Sequence, residues 1–160
     1  MENVIRKLFA FGEENNRSNA KGALSNCRSG KKAVAIQNAD DIAKFVRSVL
    51  FGSLEDCCIA ICLNANYRTI GYGVREAGAG KGCRGNRREV FRAALMFDAA
   101  ALIMARYEPF DPFGNPAPSD ADRAWTKAVR ETGEAVGIKL VDSVTVTDGQ
   151  FFSFDERGQL

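Results

Sequence analysis

The chain has 160 residues, enough for one domain with a real hydrophobic core, and its 46% apolar and 26% charged residues are the balance of a soluble globular protein. Net charge is only +2, and histidine is absent altogether. That absence excludes a histidine base, a Ser-His or Cys-His pair and any imidazole metal ligand.

No window approaches the roughly eighteen consecutive apolar residues of a membrane-spanning helix. Met1 to Gly12 shows only a short apolar run and no small-residue cleavage pattern, so no secretory signal is expected. The five cysteines, Cys27, Cys57, Cys58, Cys62 and Cys83, are an odd number without an export signal. They predict reduced thiols and a cytoplasmic protein. Cys57 and Cys58 are neighbours in an apolar run. On a strand they point to opposite faces and make no chelating pair.

Residues 1–32 hold seven Lys/Arg against three Asp/Glu, a balance of +4, and the remainder holds fifteen against seventeen, a balance of −2. Val4, Ile5, Leu8, Phe9 and Phe11 fall near helical spacing, so a short amphipathic helix is expected over 2–11. Residues 12–32 are Gly, Asn, Ser, Lys and Arg with few large apolar groups, which predicts a mobile basic arm. The domain proper is expected over 33–160.

Asn38 predicts a helix cap, with Asp40 and Asp41 favoured in the first turn. Ile42, Phe45, Val46, Val49 and Leu50 then share one face. Residues 57–64 read as a buried strand, Asn64 to Asn66 as a turn, and Arg68 to Val74 as the second strand of a hairpin. Glu76 to Arg87 is a Gly- and Arg-rich loop. Arg88 to Asp98 reads as a helix with Val90, Phe91, Ala94, Leu95 and Phe97 apolar, and Ala99 to Ala105 as an apolar strand. Four prolines make Tyr107 to Pro118 an irregular loop.

Ser119 opens a helix to about Val136, with Trp125, Ala128, Val129, Thr132 and Val136 on one face and Gly137 ending it. Ile138 to Thr147 is a strand, Asp148-Gly149 a tight turn, and Gln150 to Phe154 the returning strand. Hairpins mixed with helices favour an α+β domain over a parallel doubly wound sheet. The expected core comprises Leu63, Ile70, Leu95, Leu102, Ile103, Trp125, Val129, Ile138, Val144, Val146 and Phe152.

Five ordered segments resemble the RadC family of JAB/MPN domains over residues 35–160. They are Leu63-Asn-Ala-Asn-Tyr-Arg-Thr-Ile70, Arg88-Glu-Val-Phe-Arg-Ala-Ala-Leu95, Ala100-Ala-Leu-Ile-Met-Ala105, Asn115-Pro-Ala-Pro-Ser-Asp-Ala-Asp122, and Val141 to Gly149 followed by Phe152 to Gly158. The resemblance implies a curved mixed sheet flanked by helices, a layered fold like that of cytidine deaminases. It also implies a metallopeptidase site. In active members two histidines of a His-x-His motif and an aspartate hold zinc, and a serine and an upstream glutamate assist. Zinc leaves one position for water and lowers its pKa, and a carboxylate moves the proton.

Ser119 and Asp122 keep the family's Ser-x-x-Asp spacing. Counting back from Ser119 to the histidine positions lands on Pro109 and Asp111. Counting forward from the strand that ends at Ala105 lands on Arg106 and Glu108. The difference is a three-residue insertion, and neither register supplies a histidine. The glutamate position, four residues before Gly78, is filled by Val74. Glu76 is the nearest carboxylate, a slip of roughly 7 Å along a strand.

Ser119 and Asp122 also make a capping box with Asp in place of Glu. In a functional alternative, Asp122 with Asp111 or Glu108, and Asp120, offers oxygens for a weakly held Mg²⁺, Mn²⁺ or Ca²⁺. Cys83 has no second thiol beside it in sequence to complete a zinc set. The run Gly78 to Gly82 lacks the spacing of a phosphate loop. The basic cluster Lys81, Arg84, Arg87 and Arg88 reads as a solvated loop or as an anion or nucleic-acid contact.

Three functions follow. The first is a zinc-less pseudo-metallopeptidase kept as a binding module for a protein or peptide, with no cofactor expected. The second is a hydrolase using a carboxylate-bound cation. The third is a DNA-associated protein that contacts phosphates through its basic arm and loop, as the family's association with DNA repair implies by analogy.

Overall fold

The computed structural model describes residues 25–28, 35–50, 52–53, 56–76, 86–109 and 116–160. The helix expected over 2–11, most of the basic arm, and Lys81, Cys83, Arg84 and Asp111 lie outside the described residues. The elements in chain order are β1 (Ser25–Arg28), α1 (Ala39–Leu50), β2 (Cys57–Leu63), β3 (Thr69–Glu76), α2 (Arg87–Met96), β4 (Ala101–Glu108), α3 (Asp120–Val136), β5 (Lys139–Thr147) and β6 (Phe151–Ser153).

The described strands form one six-stranded mixed sheet in the order β1-β3-β2-β4-β5-β6. The β2–β3 and β2–β4 pairs are antiparallel, β4–β5 is parallel, and α3 makes the crossover between the last two. Ser25–Arg28, expected within the mobile arm, instead pair with β3 as the edge strand. Backbone hydrogen bonding to a strand far along the chain is what adds them to the sheet, and local composition carries no trace of it.

Alternation along β2 and β4 divides the core into two layers. Cys57, Ile59, Ile61 and Leu63 join Ala101, Ile103, Ala105 and Tyr107 under α1. Ala60, Cys62, Leu102 and Met104 face α2 and α3 instead. All seven residues of β2 are buried, as a central strand covered on both faces requires. Cys57 and Cys58 do fall on opposite faces, the second lining a cleft on the α3 side.

Helix α1 begins where the sequence places it. Asn38 Oδ1 accepts the Asp41 amide at 2.9 Å, and Asp41 returns a carboxylate to the Gln37 amide at 3.1 Å. Its buried stripe is Ile42, Ala43, Val46 and Leu50. Arg47 reaches from this helix to the β5–β6 turn and donates to the Thr147 and Gln150 carbonyls, both at 3.0 Å. Beside it the Tyr107 hydroxyl donates to Asp148 at 2.6 Å. Burial, then the hydrogen bond to that carboxylate, pushes the phenol up to about 12.

On the far edge, the buried Asp142 accepts from Ser153 Oγ at 2.6 Å and from the Ser143 and Asp155 amides at 2.7 and 3.0 Å. Burial raises its pKa, and these bonds oppose the rise. Gly137 ends α3 in the left-handed region at φ 76°, as expected.

Four of the expected core residues lie elsewhere. Leu95 is 60% exposed. The buried stripe of α2 is Val90, Phe91, Ala93 and Ala94, and Leu95 lies just outside it, about 40° beyond Phe91. Phe97 takes the inner place. A Cβ on Gly71 would lie 2.6 Å from its ring, so the glycine makes the room. Phe152 is only half-buried on the three-residue edge strand β6, and Phe154 just beyond it is the ring that fills the core. Ile70 and Trp125 pack against the α2–α3 layer but stay partly exposed.

Replacing the fully buried Ile103 by Ala should lower stability by about 2–5 kcal/mol. Leu95→Ser should stay within about 0.5 kcal/mol of the parent. Urea unfolding of the two variants checks the assignment, and a reversed order would contradict it.

Candidate functional site

Strand β4 runs three residues beyond the expected end at Ala105, as far as Glu108. Arg106, Tyr107 and Glu108 therefore alternate as strand residues. Tyr107 points into the α1 layer, and Arg106 and Glu108 take the α3 side. Cys58 on β2 and Thr145 on β5 stand level with Arg106 in the sheet.

The facing element is the head of α3. Ser119 is its N-cap, and the capping box expected from the sequence is present. Ser119 Oγ donates to Asp122 Oδ2 at 2.5 Å and accepts the Asp122 amide at 3.3 Å, and the Ser119 amide donates to the same carboxylate oxygen at 2.9 Å. Two donors thus hold one Asp122 oxygen. A negative charge is favoured at a helix N-terminus. Yet Asp122 is only 7% exposed, and so inaccessible a carboxylate needs a counter-charge.

Arg106 supplies it. Its Nη1 donates to Asp122 Oδ1 at 2.7 Å, within the range of a charge-assisted bond. Its Nε lies 3.1 Å from Glu108 Oε1, an ion pair without the alignment of a hydrogen bond. One guanidinium therefore spans a carboxylate from the end of β4 and one from the start of α3. Beneath it is a cleft of about 30 Å³, lined among others by Cys58, Met104, Trp125 and Thr126, with room for about one water molecule.

Of the candidate residues, the structure brings together Ser119, Asp122 and Glu108. The forward count lands on Arg106 and Glu108, and Arg106 meets Asp122, whereas Asp111 of the other count lies outside the described residues. Asp120 is exposed on the first turn of α3. Glu76 pairs in register with Cys57, not with Cys58, and Val74 packs into the α1 layer. Neither position lies on the Arg106 side of the sheet. The β3 residue level with Cys58 is Arg75, which pairs with Glu89 of α2 at 3.7 Å. Of the basic cluster, Arg87 donates to Thr132 on α3 at 3.2 Å and Arg88 is exposed.

The sequence marks Arg106 only by its place: a basic residue two before a carboxylate, in register with the expected ligand pair.

A layered α+β domain with Ser-x-x-Asp at the head of the crossover helix, facing the end of a central strand, is of the JAB/MPN class. The chain belongs to the RadC-like JAB domain family, whose model matches residues 36–159. It is 33% identical over 130 residues to a UPF0758 protein of Xanthomonas euvesicatoria, covering 81% of this chain and 56% of that protein. It is 35% identical over 100 residues to one of Thermotoga maritima, covering 62% and 44%. A third, from Pelobacter propionicus, is 42% identical over 73 residues, covering 46% and 31%. The chain thus spans about half the length, or less, of the curated relatives it matches.

The described residues do not fit the zinc ion that the fold implies. The chain has no imidazole to offer. Among the described residues no three His, Cys, Asp or Glu side chains gather as ligands. Between the Asp122 and Glu108 oxygens lies a guanidinium.

Ser119→Ala should destabilise the protein by about 1 kcal/mol, the usual cost of a lost N-cap, and Ser119→Thr should recover most of it. Urea unfolding measures the difference, and an unchanged midpoint in Ser119→Ala would count against the role given to the cap.

Proposed function

We propose that this protein is a zinc-less relative of the JAB metallopeptidases, acting as a binding module for a protein or peptide rather than as a peptidase. The observation that carries the reading is the guanidinium of Arg106 lodged between Asp122 and Glu108. A metal hydrolase needs an ion with an open position for water. A guanidinium offers neither a vacant coordination position nor a polarised water. The proton-shuttling carboxylate has no counterpart on this side of β3, where Arg75 stands level with the site.

Loss of a positioned base alone costs about 10²–10⁴ in rate. Loss of metal-activated water adds several kcal/mol to the barrier. The reading places the protein in a reducing cytoplasm, consistent with the buried thiols Cys57, Cys58 and Cys62. Among the described residues no helix is long and apolar enough to cross a membrane.

The test is metal analysis of protein purified without a histidine tag, together with hydrolysis of peptide and ubiquitin-like isopeptide substrates. Zinc well below one per chain and no chelator-sensitive hydrolysis are expected. Near-stoichiometric zinc, with activity abolished by chelation and by Asp122→Ala, would overturn the reading. Manganese- or magnesium-dependent hydrolysis would point instead to a carboxylate-bound cation.

A further inference from the structure

Among the described residues four large apolar side chains are exposed, and all four stand at one end of the molecule. Tyr67 lies in the turn between β2 and β3, Leu95 and Met96 in the last turn of α2, and Val136 at the end of α3 just before β5. Leu63, Thr69, Ala101 and Lys139 are level across the sheet at that end. Arg106 and the head of α3 are at the other. We propose that the apolar end is a self-association surface, where the outer face of α2 meets the same face of a second copy of the chain, antiparallel, about a twofold axis at Leu95. It stands apart from the reading of the Arg106 site.

Two observations carry it. The first is that the face is fixed and apolar. The Phe97 and Asp98 amides donate to the Ala93 and Leu95 carbonyls, both at 3.1 Å, and the Ala99 amide donates to Ala94 at 2.9 Å. The Phe97 ring sits against Gly71 of β3. Leu95 and Met96, each more than half exposed, are therefore held out on a secured helix end. Apolar residues scattered singly over a surface need no account, but four gathered at one end mark a contact.

The second is the charge pattern, which names the occupant. Arg88, Arg92, Leu95 and Met96 recur at helical spacing on the exposed side of α2, away from its buried stripe. Arg92 stands three residues before Leu95, and the exposed Asp98 three after it. A face with a cation on one side of an apolar residue and an anion at the same step on the other is complementary to itself when reversed. A twofold contact supplies that reversal, since residue i meets j and j meets i. With Leu95 on the axis, Arg92 of each copy comes level with Asp98 of the other. Leu95 and Met96 leave water between the two pairs. A parallel contact would set Arg92 beside Arg92. Arg88, a turn further out, passes Asp98 and stays hydrated.

A contact centred on a ten-residue helix is small, and small interfaces are weak and transient. Dilute protein is then monomeric, so unfolding of a Leu95 variant at low concentration reads the monomer. Joined at this end, the two copies leave both Arg106 clefts facing outwards.

The experiment is sedimentation equilibrium of the full chain from low micromolar to near-millimolar concentration. The variants are Leu95→Glu, Arg92→Glu and the double variant Arg92→Glu/Asp98→Asn. The parent should follow a monomer–dimer equilibrium. Leu95→Glu should stay monomeric, because two carboxylates would meet on the axis. Arg92→Glu should weaken the dimer by about tenfold or more, since the new carboxylate faces Asp98. Adding Asp98→Asn should restore part of the loss. Asparagine, like aspartate, accepts the left-handed backbone at φ 51°. All three positions are exposed, so each variant should unfold with the parent at low concentration.

A parent that is monomeric over the whole range, or that associates beyond two chains, would overturn the proposal. So would a dimer that Leu95→Glu leaves unchanged, or a double variant no tighter than Arg92→Glu. Zinc or hydrolysis in the parent bears on the function of the Arg106 site and leaves this surface untouched.

Discussion

The site is organised around a carboxylate that the fold cannot leave alone. Asp122 is the third residue of α3, where its side chain completes the capping box with Ser119 and the helix dipole favours negative charge. The same position lies against the end of β4, nearly out of reach of water. Capping satisfies one oxygen, and the other accepts from the Arg106 guanidinium of β4 at 2.7 Å.

The rest of the architecture makes that pairing possible. Strand β4 lies between β2 and β5, so its alternation is held rigidly from both sides. Apolar residues fill its first five positions and fix which face each side chain takes. Arg106 and Glu108 then emerge where the core ends, partly buried and still able to meet Asp122. On the opposite face Arg47 ties α1, and Tyr107 ties β4, to the β5–β6 turn. At the α3–β5 junction a Cβ on Gly133 would lie 2.3 Å from the Ile138 carbonyl, and a glycine permits the approach that brings β5 in beside β4.

Much of this is legible in the residues. The unbroken apolar run of β2, the Asn38 and Ser119 caps and the Gly137 stop each have a local physical signature, and each element forms where that signature puts it. What was not legible depended on contacts between distant segments. The pairing of Ser25–Arg28 with β3 leaves no hydrophobic pattern in four such residues. Leu95 shares an apolar helix with Phe91, and only the position of the sheet decides which of them is inside. The end of β4 was masked by charge. Arg106 and Glu108 interrupt the apolar run, although their alternation with Tyr107 is that of a strand up to Pro109. In the site, Ser119 and Asp122 were visible through a fixed spacing. The role of Arg106 required knowing that strand and helix meet.

The central claim is that the Arg106 guanidinium is held between Asp122 and Glu108 in place of a metal ion. Nitrogen-detected NMR of the arginine side chains observes it most directly. In metal-free protein, the Nε–H of Arg106 should give a distinct, shifted signal with slow rotation about the Nε–Cζ bond and slow exchange with water. Asp122→Asn should move that signal and speed both processes. A rapidly rotating Arg106 guanidinium, indistinguishable from those of exposed arginines and indifferent to Asp122→Asn, would contradict the account.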